Sequence, residues 1–314
     1  MMLAAALAGL AVASASAVLA APVNTGHLQA ELVAQNTAIA PGAAIHVALR
    51  QKIEPGWHTY WRNPGDSGQA TTLAWTLPAG WRAGELIWPT PQRMRTGPLM
   101  DYGYSGEVLL PVTLAAPASA RPGQTVALKA HAEFLVCKDI CVPADADLSL
   151  ALPVAAKIGP ADPAWGARIA GVLADAPRPG PLKAAMTLQG GVIKLSVTGA
   201  PATGPGRDQA YFFPYDSAAI DHAQPQPVER GRAGLTLTLT PGSAFKTGKP
   251  PASLTGVLSL GARAYEITAR AGPQLVVAAG LGPPAAPQGP GERAGRLGVA
   301  MAFAFLGGLI LNLM

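Results

Sequence analysis

Between Thr125 and Val136 the chain runs Thr-Val-Ala-Leu-Lys-Ala-His-Ala-Glu-Phe-Leu-Val, and directly after it come two cysteines four positions apart, Cys137 and Cys141. A period of two marks a strand with one buried face, because successive side chains point to opposite sides. Ala130, Ala132, Phe134 and Val136 share one face and are predicted core. His131, Glu133, Leu135 and Cys137 share the other. Cys137 is therefore expected to point away from the interior, with Lys138-Asp-Ile140 as a tight turn and Cys141 opening the return strand.

The same alternation recurs in short runs, at Ala43–Leu49, Thr72–Leu77, Val108–Leu114 and Asp147–Leu152, separated by Pro-Gly and Asn-Pro-Gly-Asp turns. Gly 36 and Pro 31 make up about a fifth of the 314 residues, whereas only 13% are charged, which excludes a coiled coil or helical bundle. Residues 22–155 thus read as an antiparallel β-sandwich. Residues 156–182 read as a linker with a short helix: Asp162 as N-cap, Pro163 at the first helical position, and Trp165, Ile169, Val172 and Leu173 on one face. Alternation returns over 183–272, predicting a second sandwich, and 273–296 form a Gly/Pro/Ala-rich tether. The expected fold class is all-β, two immunoglobulin-like sandwiches joined by a short helix.

Both ends are apolar. Residues 1–21 read as a secretory signal peptide cleaved near Ala20 or Ala21, ahead of Pro22. Residues 297–314 carry no charge and follow Arg293 and Arg296. At about 1.5 Å per residue they reach roughly 27 Å, close to the ~30 Å of a hydrocarbon core, and read as the start of a transmembrane helix. The net charge of +5 comes from scattered residues, with no Lys/Arg run and no basic helix, so no nucleic-acid partner is expected.

Cys137 and Cys141 are the only thiols, which excludes a disulfide-scaffold miniprotein and a four-cysteine zinc site. A structural staple and a reactive pair both remain open. Closing about five residues stabilises by only ~2 kcal/mol, against ~4.7 for a 100-residue loop, so a staple here gains little. Lys138 favours a thiolate and Asp139 opposes it.

Phe134-Leu-Val-Cys-Lys-Asp-Ile-Cys-Val-Pro143 resembles the cysteine hairpin of the N-terminal periplasmic region of the thiol:disulfide interchange protein DsbD family. Trp57-His-Thr-Tyr-Trp-Arg-Asn-Pro-Gly-Asp-Ser-Gly68, Trp75-Thr-Leu-Pro-Ala-Gly-Trp81 and Phe305–Met314 resemble three further family stretches in the same order. The three-residue spacer is closest to the copper-sensitivity-suppressor branch, which also carries a second sandwich.

The resemblance implies a protein-disulfide reductase component with Cys137 and Cys141 catalytic and no cofactor beyond the redox-active disulfide. It implies a periplasmic location, anchorage in the bacterial inner membrane, and electrons arriving from a thioredoxin-like domain. They would leave to a periplasmic disulfide isomerase, thioredoxin-like reductants or cytochrome-maturation proteins. The segment 99–106 falls where the family carries a cap loop over the pair, which makes Tyr102 and Tyr104 candidate cap aromatics and Asp101 a candidate acid. Lys138, Glu133 and His131 are possible auxiliaries, Glu133 lying four residues before Cys137 on the same strand face, roughly 13 Å away. His58 reads as a structural histidine in an aromatic cluster, and Asp66 as a turn former. Two other classes stay in view: a Cu(I) site using the Cys-x3-Cys thiolates, and a scaffold with a structural disulfide.

Overall fold

The computed structural model describes residues 21–246 and 250–284. The expected signal peptide, apart from its last residue, the membrane segment and the tether beyond residue 284 lie outside the described residues. Among the described residues no helix is long and apolar enough to cross a membrane.

The first half comprises β1 (Val23–Asn24), β2 (Leu28–Ala34), β3 (Ala44–Ile53), β4 (His58–Gly65), β5 (Thr72–Thr76), β6 (Arg82–Ala83), β7 (Gln92–Thr96), β8 (Leu99–Ser105), β9 (Glu107–Ala115), β10 (Thr125–Cys137) and β11 (Cys141–Pro153). They form a sheet in the order β1-β2-β3-β9-β6 and a second in the order β11-β10-β4-β8-β7, with β5 also pairing β10. The two share one core, in which Leu28, Leu49 and Leu110 meet Trp61, Leu128, Phe134 and Leu148. On β10 the buried residues are Leu128, Ala130, Ala132, Phe134 and Val136, while Lys129, His131 and Glu133 are exposed, as the period of two requires.

The helix α1 (Gly166–Asp175) is no free linker. Ile169 is fully buried against Val33, Ala48 and Leu109, with Trp165, Val172 and Leu173 around it, so α1 covers the outer face of β2, β3 and β9. Asp162 does the work of an N-cap. Its Oδ1 accepts from the backbone N–H of Ala164 and Trp165, each at 2.9 Å, and its carbonyl accepts from Gly166 N at 2.8 Å. Regular helix begins only at Gly166, later than the sequence predicted. Arg168 pairs with Glu107, Arg50 pairs with Glu31 and Glu107, and both guanidinium groups lie over the Trp165 ring.

The second half comprises β12 (Arg178–Pro179), β13 (Lys183–Gln189), β14 (Val192–Thr198), β15 (Ala210–Pro214), β16 (Val228–Arg230), β17 (Gly234–Leu239), β18 (Ser253–Leu260) and β19 (Arg263–Ala271). All eight belong to one mixed sheet, ordered β15-β18-β19-β13-β14-β17-β16 with β12 beside β19. This sheet curls around Leu195, Phe212, Leu237 and Leu258, where the alternation had suggested two separate layers. The expected tether is docked as far as the described chain extends. Arg230 N donates to Gly282 O, Leu281 N donates to Arg230 O, and Ala278 is buried. Free carbonyl and N–H groups at the β16–β17 end account for this, since edge groups seek partners.

The halves meet in an aromatic seam. Trp61 and Tyr102 of the first pack edge-on against Phe213 of the second, and Tyr211, Phe213 and Val257 extend the first core across the boundary.

Candidate active site

The β10–β11 hairpin pairs in unbroken register from Thr125 opposite Pro153 to Cys137 opposite Cys141. That register brings the two cysteine Cα atoms to 4.1 Å, and the sulfurs are bonded. Lys138 N donates to Ile140 O at 3.0 Å and closes the turn. The two sulfurs differ in surroundings. Cys137 is flanked on its other side by His58 of β4 and is only 2% exposed. Cys141 opens the edge strand and is exposed. Cys137 is expected to point away from the interior, but here it is buried like its neighbour Val136.

Two side chains of β4 lie at the disulfide. The Tyr60 hydroxyl is 3.8 Å from Cys141 Sγ, and His58 Nε2 is 3.2 Å from the same hydroxyl. Burial holds the His58 pKa below its ordinary value, with the Asp101 charge opposing. Burial first, then the charge of Asp101, raises the Tyr60 pKa, against a hydrogen bond from Ser67 that lowers it. At neutral pH both groups are therefore uncharged, a phenol donor beside a neutral imidazole.

The loop after β4 closes over Tyr60. Met100 N donates to Asp66 Oδ2 at 2.8 Å, and Asp66 N donates to Met100 O at 3.0 Å. Ser67 donates to Asp101 Oδ1 from both its backbone N–H (3.0 Å) and its hydroxyl (2.8 Å). At the far end Gln51 Nε2 donates to Thr71, while Gln51 Oε1 accepts from Thr59 of β4; all three residues are buried. Gly65 and Gly68 both stand at φ +92°, the left-handed region that turns of this kind reserve for glycine.

The remaining sequence candidates are dispersed. Asp101 is 1% exposed and acts on Tyr60 through Ser67 and its charge, without touching a sulfur. Tyr102 and Tyr104 belong to strand β8, so the expected loop is a strand. Tyr102 is fully buried in the seam, and Tyr104 donates its hydroxyl to Pro89 O at 2.7 Å. These hydroxyls are committed away from the disulfide, and the cap assignment is corrected accordingly. His131 bonds Asp147 at 2.8 Å, which raises its pKa, and Glu133 accepts from Thr72; both face solvent further along the hairpin. Lys138 is exposed with its side chain along Gly56. The sequence does carry a signal for Tyr60: His58-x-Tyr60 is an i, i+2 pair on one strand face, separated by two residues from the Asn-Pro-Gly-Asp-Ser-Gly turn. Among the described residues no three His, Cys, Asp or Glu side chains gather as a metal site.

Residues 28–153 match the family model described as thiol:disulfide interchange protein DsbD, N-terminal. Among solved structures, the N-terminal periplasmic domain of ScsB from Proteus mirabilis is similar in fold, with a TM-score of 0.57 at 19% identity over 82% of this chain and 100% of that chain. The yeast GGA1 GAE domain aligns over 43% of this chain and 98% of its own at 13% identity, with a TM-score of 0.25, too low to carry an argument. No curated protein sequence matches the chain.

Proposed function

Residues 28–153 belong to the DsbD N-terminal family, a thiol–disulfide exchange module, and from that premise we propose that Cys137 and Cys141 pass electron pairs between thioredoxin-like periplasmic proteins. The observation that carries this reading is the unequal exposure of the two sulfurs. A thiolate must approach the sulfur it attacks, so exchange is directed to Cys141.

In the oxidised state a donor's thiolate attacks Cys141 Sγ. The Cys137–Cys141 bond breaks and Cys137 leaves as thiolate. The donor's second thiolate then attacks its own sulfur in the mixed disulfide and releases Cys141, so two electrons have entered the pair. Delivery runs in reverse. The Cys141 thiolate attacks an acceptor disulfide and expels one acceptor thiolate, and Cys137 then attacks Cys141 Sγ, reforming the pair and releasing the second acceptor thiolate. Protons taken up by the thiolates balance each half. The Tyr60 hydroxyl is placed to donate to the Cys141 thiolate whenever that sulfur is free, which stabilises the charged form. In this reading the dithiol is the redox centre and needs no metal.

The test is trapping. With Cys137→Ser, which removes the resolving sulfur, Cys141 should accumulate a mixed disulfide with a thioredoxin-like acceptor. With Cys141→Ser, the buried Cys137 should accumulate much less. Equal trapping by both variants, or by neither, contradicts the assignment.

A further inference from the structure

The ladder between β4 and β8 has a gap next to the site. His58, Thr59 and Tyr60 pair with Ser105, Tyr104 and Gly103, and the next pair is Gly65 with Asp101. Residues 61–64 of β4 therefore bulge across the single residue Tyr102. A bulge gives up ladder bonds and bends its strand, so something else must fix its shape.

The second domain does so. Asn63, 1% exposed, donates from Nδ2 to Pro214 O at 2.7 Å. The Arg62 guanidinium lies 4.2 Å over the Tyr215 ring, and Trp61 packs on Phe213 and Tyr215 at centroid distances of 6.1 and 5.7 Å. Tyr102, the residue spanned, is held by the same domain. His222 Nε2 donates to Ser217 O, which leaves Nδ1 to accept from the Tyr102 hydroxyl at 3.1 Å, and the Tyr102 oxygen in turn accepts from Tyr211 at 2.9 Å. Tyr60 is the last laddered residue before the bulge. Asp101, which ties down the loop over Tyr60, is the immediate neighbour of Tyr102.

We propose that the second domain is a positioning element for the redox site: by clamping the 61–64 bulge and Tyr102, it sets the Tyr60 hydroxyl against Cys141. This rests on the exchange reading above and assigns the second domain a role in reactivity beyond packing. Its residues touch neither sulfur. They act by deciding whether β4 presents Tyr60 at hydrogen-bonding range.

The experiment uses the protein in reduced form and 2-hydroxyethyl disulfide, a small neutral probe needing no docking surface, with rates followed against pH. Tyr60→Phe removes the donor to the thiolate and should move the profile to higher pH, lowering the rate below the midpoint by roughly three- to tenfold. Tyr215→Ala, in the second domain, should move the profile the same way. In the Tyr60→Phe background it should add less than about twofold, since both changes act through one hydroxyl. Tyr215→Phe keeps the ring under Arg62 and should match the wild type. Should Tyr215→Ala lose its fold by circular dichroism, Arg62→Met, at an exposed position, removes the cation–π contact from the other side and carries the same expectation. Additive shifts, or an unshifted profile in folded Tyr215→Ala or Arg62→Met, overturn the proposal while leaving exchange intact. Absence of any exchange by the wild type overturns the exchange reading itself, and the proposal with it.

Discussion

Gly68 lies against the ring of Tyr60 so closely that a Cβ built on it would stand 2.2 Å from Cε1. With φ at +92°, Gly68→Ala adds backbone strain of about 1–3 kcal/mol to that overlap. Since the obstacle is an aromatic ring held at the disulfide, relief requires Tyr60 to move. The variant should melt at lower temperature and exchange more slowly with small disulfides. In a Tyr60→Ala background the same substitution should still cost stability through φ but leave the exchange rate unchanged. Both are read from thermal melts and stopped-flow rates.

Reducing the disulfide should cost the fold little. The bond closes a loop of about five residues, worth ~2 kcal/mol in the chain-entropy picture, and the hairpin is already aligned by its full ladder. Urea titrations with and without reductant should differ by no more than about that amount, with near-identical slopes. A loss of cooperative unfolding on reduction would identify a structural staple instead.

The histidines report the site's field. His58 should titrate below 6.5 and His131 above it in one NMR titration, because burial disfavours the charged form of the first while the Asp147 hydrogen bond favours that of the second. The signs for stability are opposite. A lowered folded-state pKa means the unfolded chain takes the proton first, so His58 costs stability as pH falls below 6.5 towards its folded value. The raised pKa of His131 gives a contribution present below 6.5 and lost as pH rises through its folded value. His58→Gln should therefore flatten the acid-side loss of stability just below pH 6.5, measured by denaturant midpoints across pH.

Ile169→Ala should destabilise the first domain by about 2–5 kcal/mol, as expected for a fully buried aliphatic side chain. Asp162→Ala should cost about 1 kcal/mol through the lost cap bonds. Unfolding midpoints would check both, and a silent Ile169→Ala would mean that α1 does not belong to this core.

The buried face of β10, the cysteine turn and the apolar stripe of α1 were legible because each follows from a local period. The site around the disulfide was less so. Tyr60 and Cys141 are 81 residues apart in sequence, and only the pairing of β4 with β10 brings them together. The cap assignment for Tyr102 and Tyr104 follows from the family resemblance, and Gly103 and Gly106 within that segment suit a loop. Gly103 lies inside a strand for another reason: a Cβ there would be 2.0 Å from Thr59 O, so glycine serves close strand approach. Alternation likewise places Tyr102 on a buried face without revealing that Tyr211 and His222 of another domain form its surroundings. In the second half, the alternating runs do not say whether strands divide between two layers or follow one curled sheet.

The packing of α1 also decides where the protein can be divided. The β-pattern stops near residue 155, and a truncation there would bare Val33, Ala48 and Leu109 on the outer face of the first sheet. An excised piece that keeps α1 must extend through Asp175, and even that piece would present Trp61 and Tyr102 to water on the side where Phe213 and Tyr215 are now seated. Shuffling the redox half onto a different neighbour would thus require a matching aromatic socket. The aromatic seam makes the two halves one packed unit.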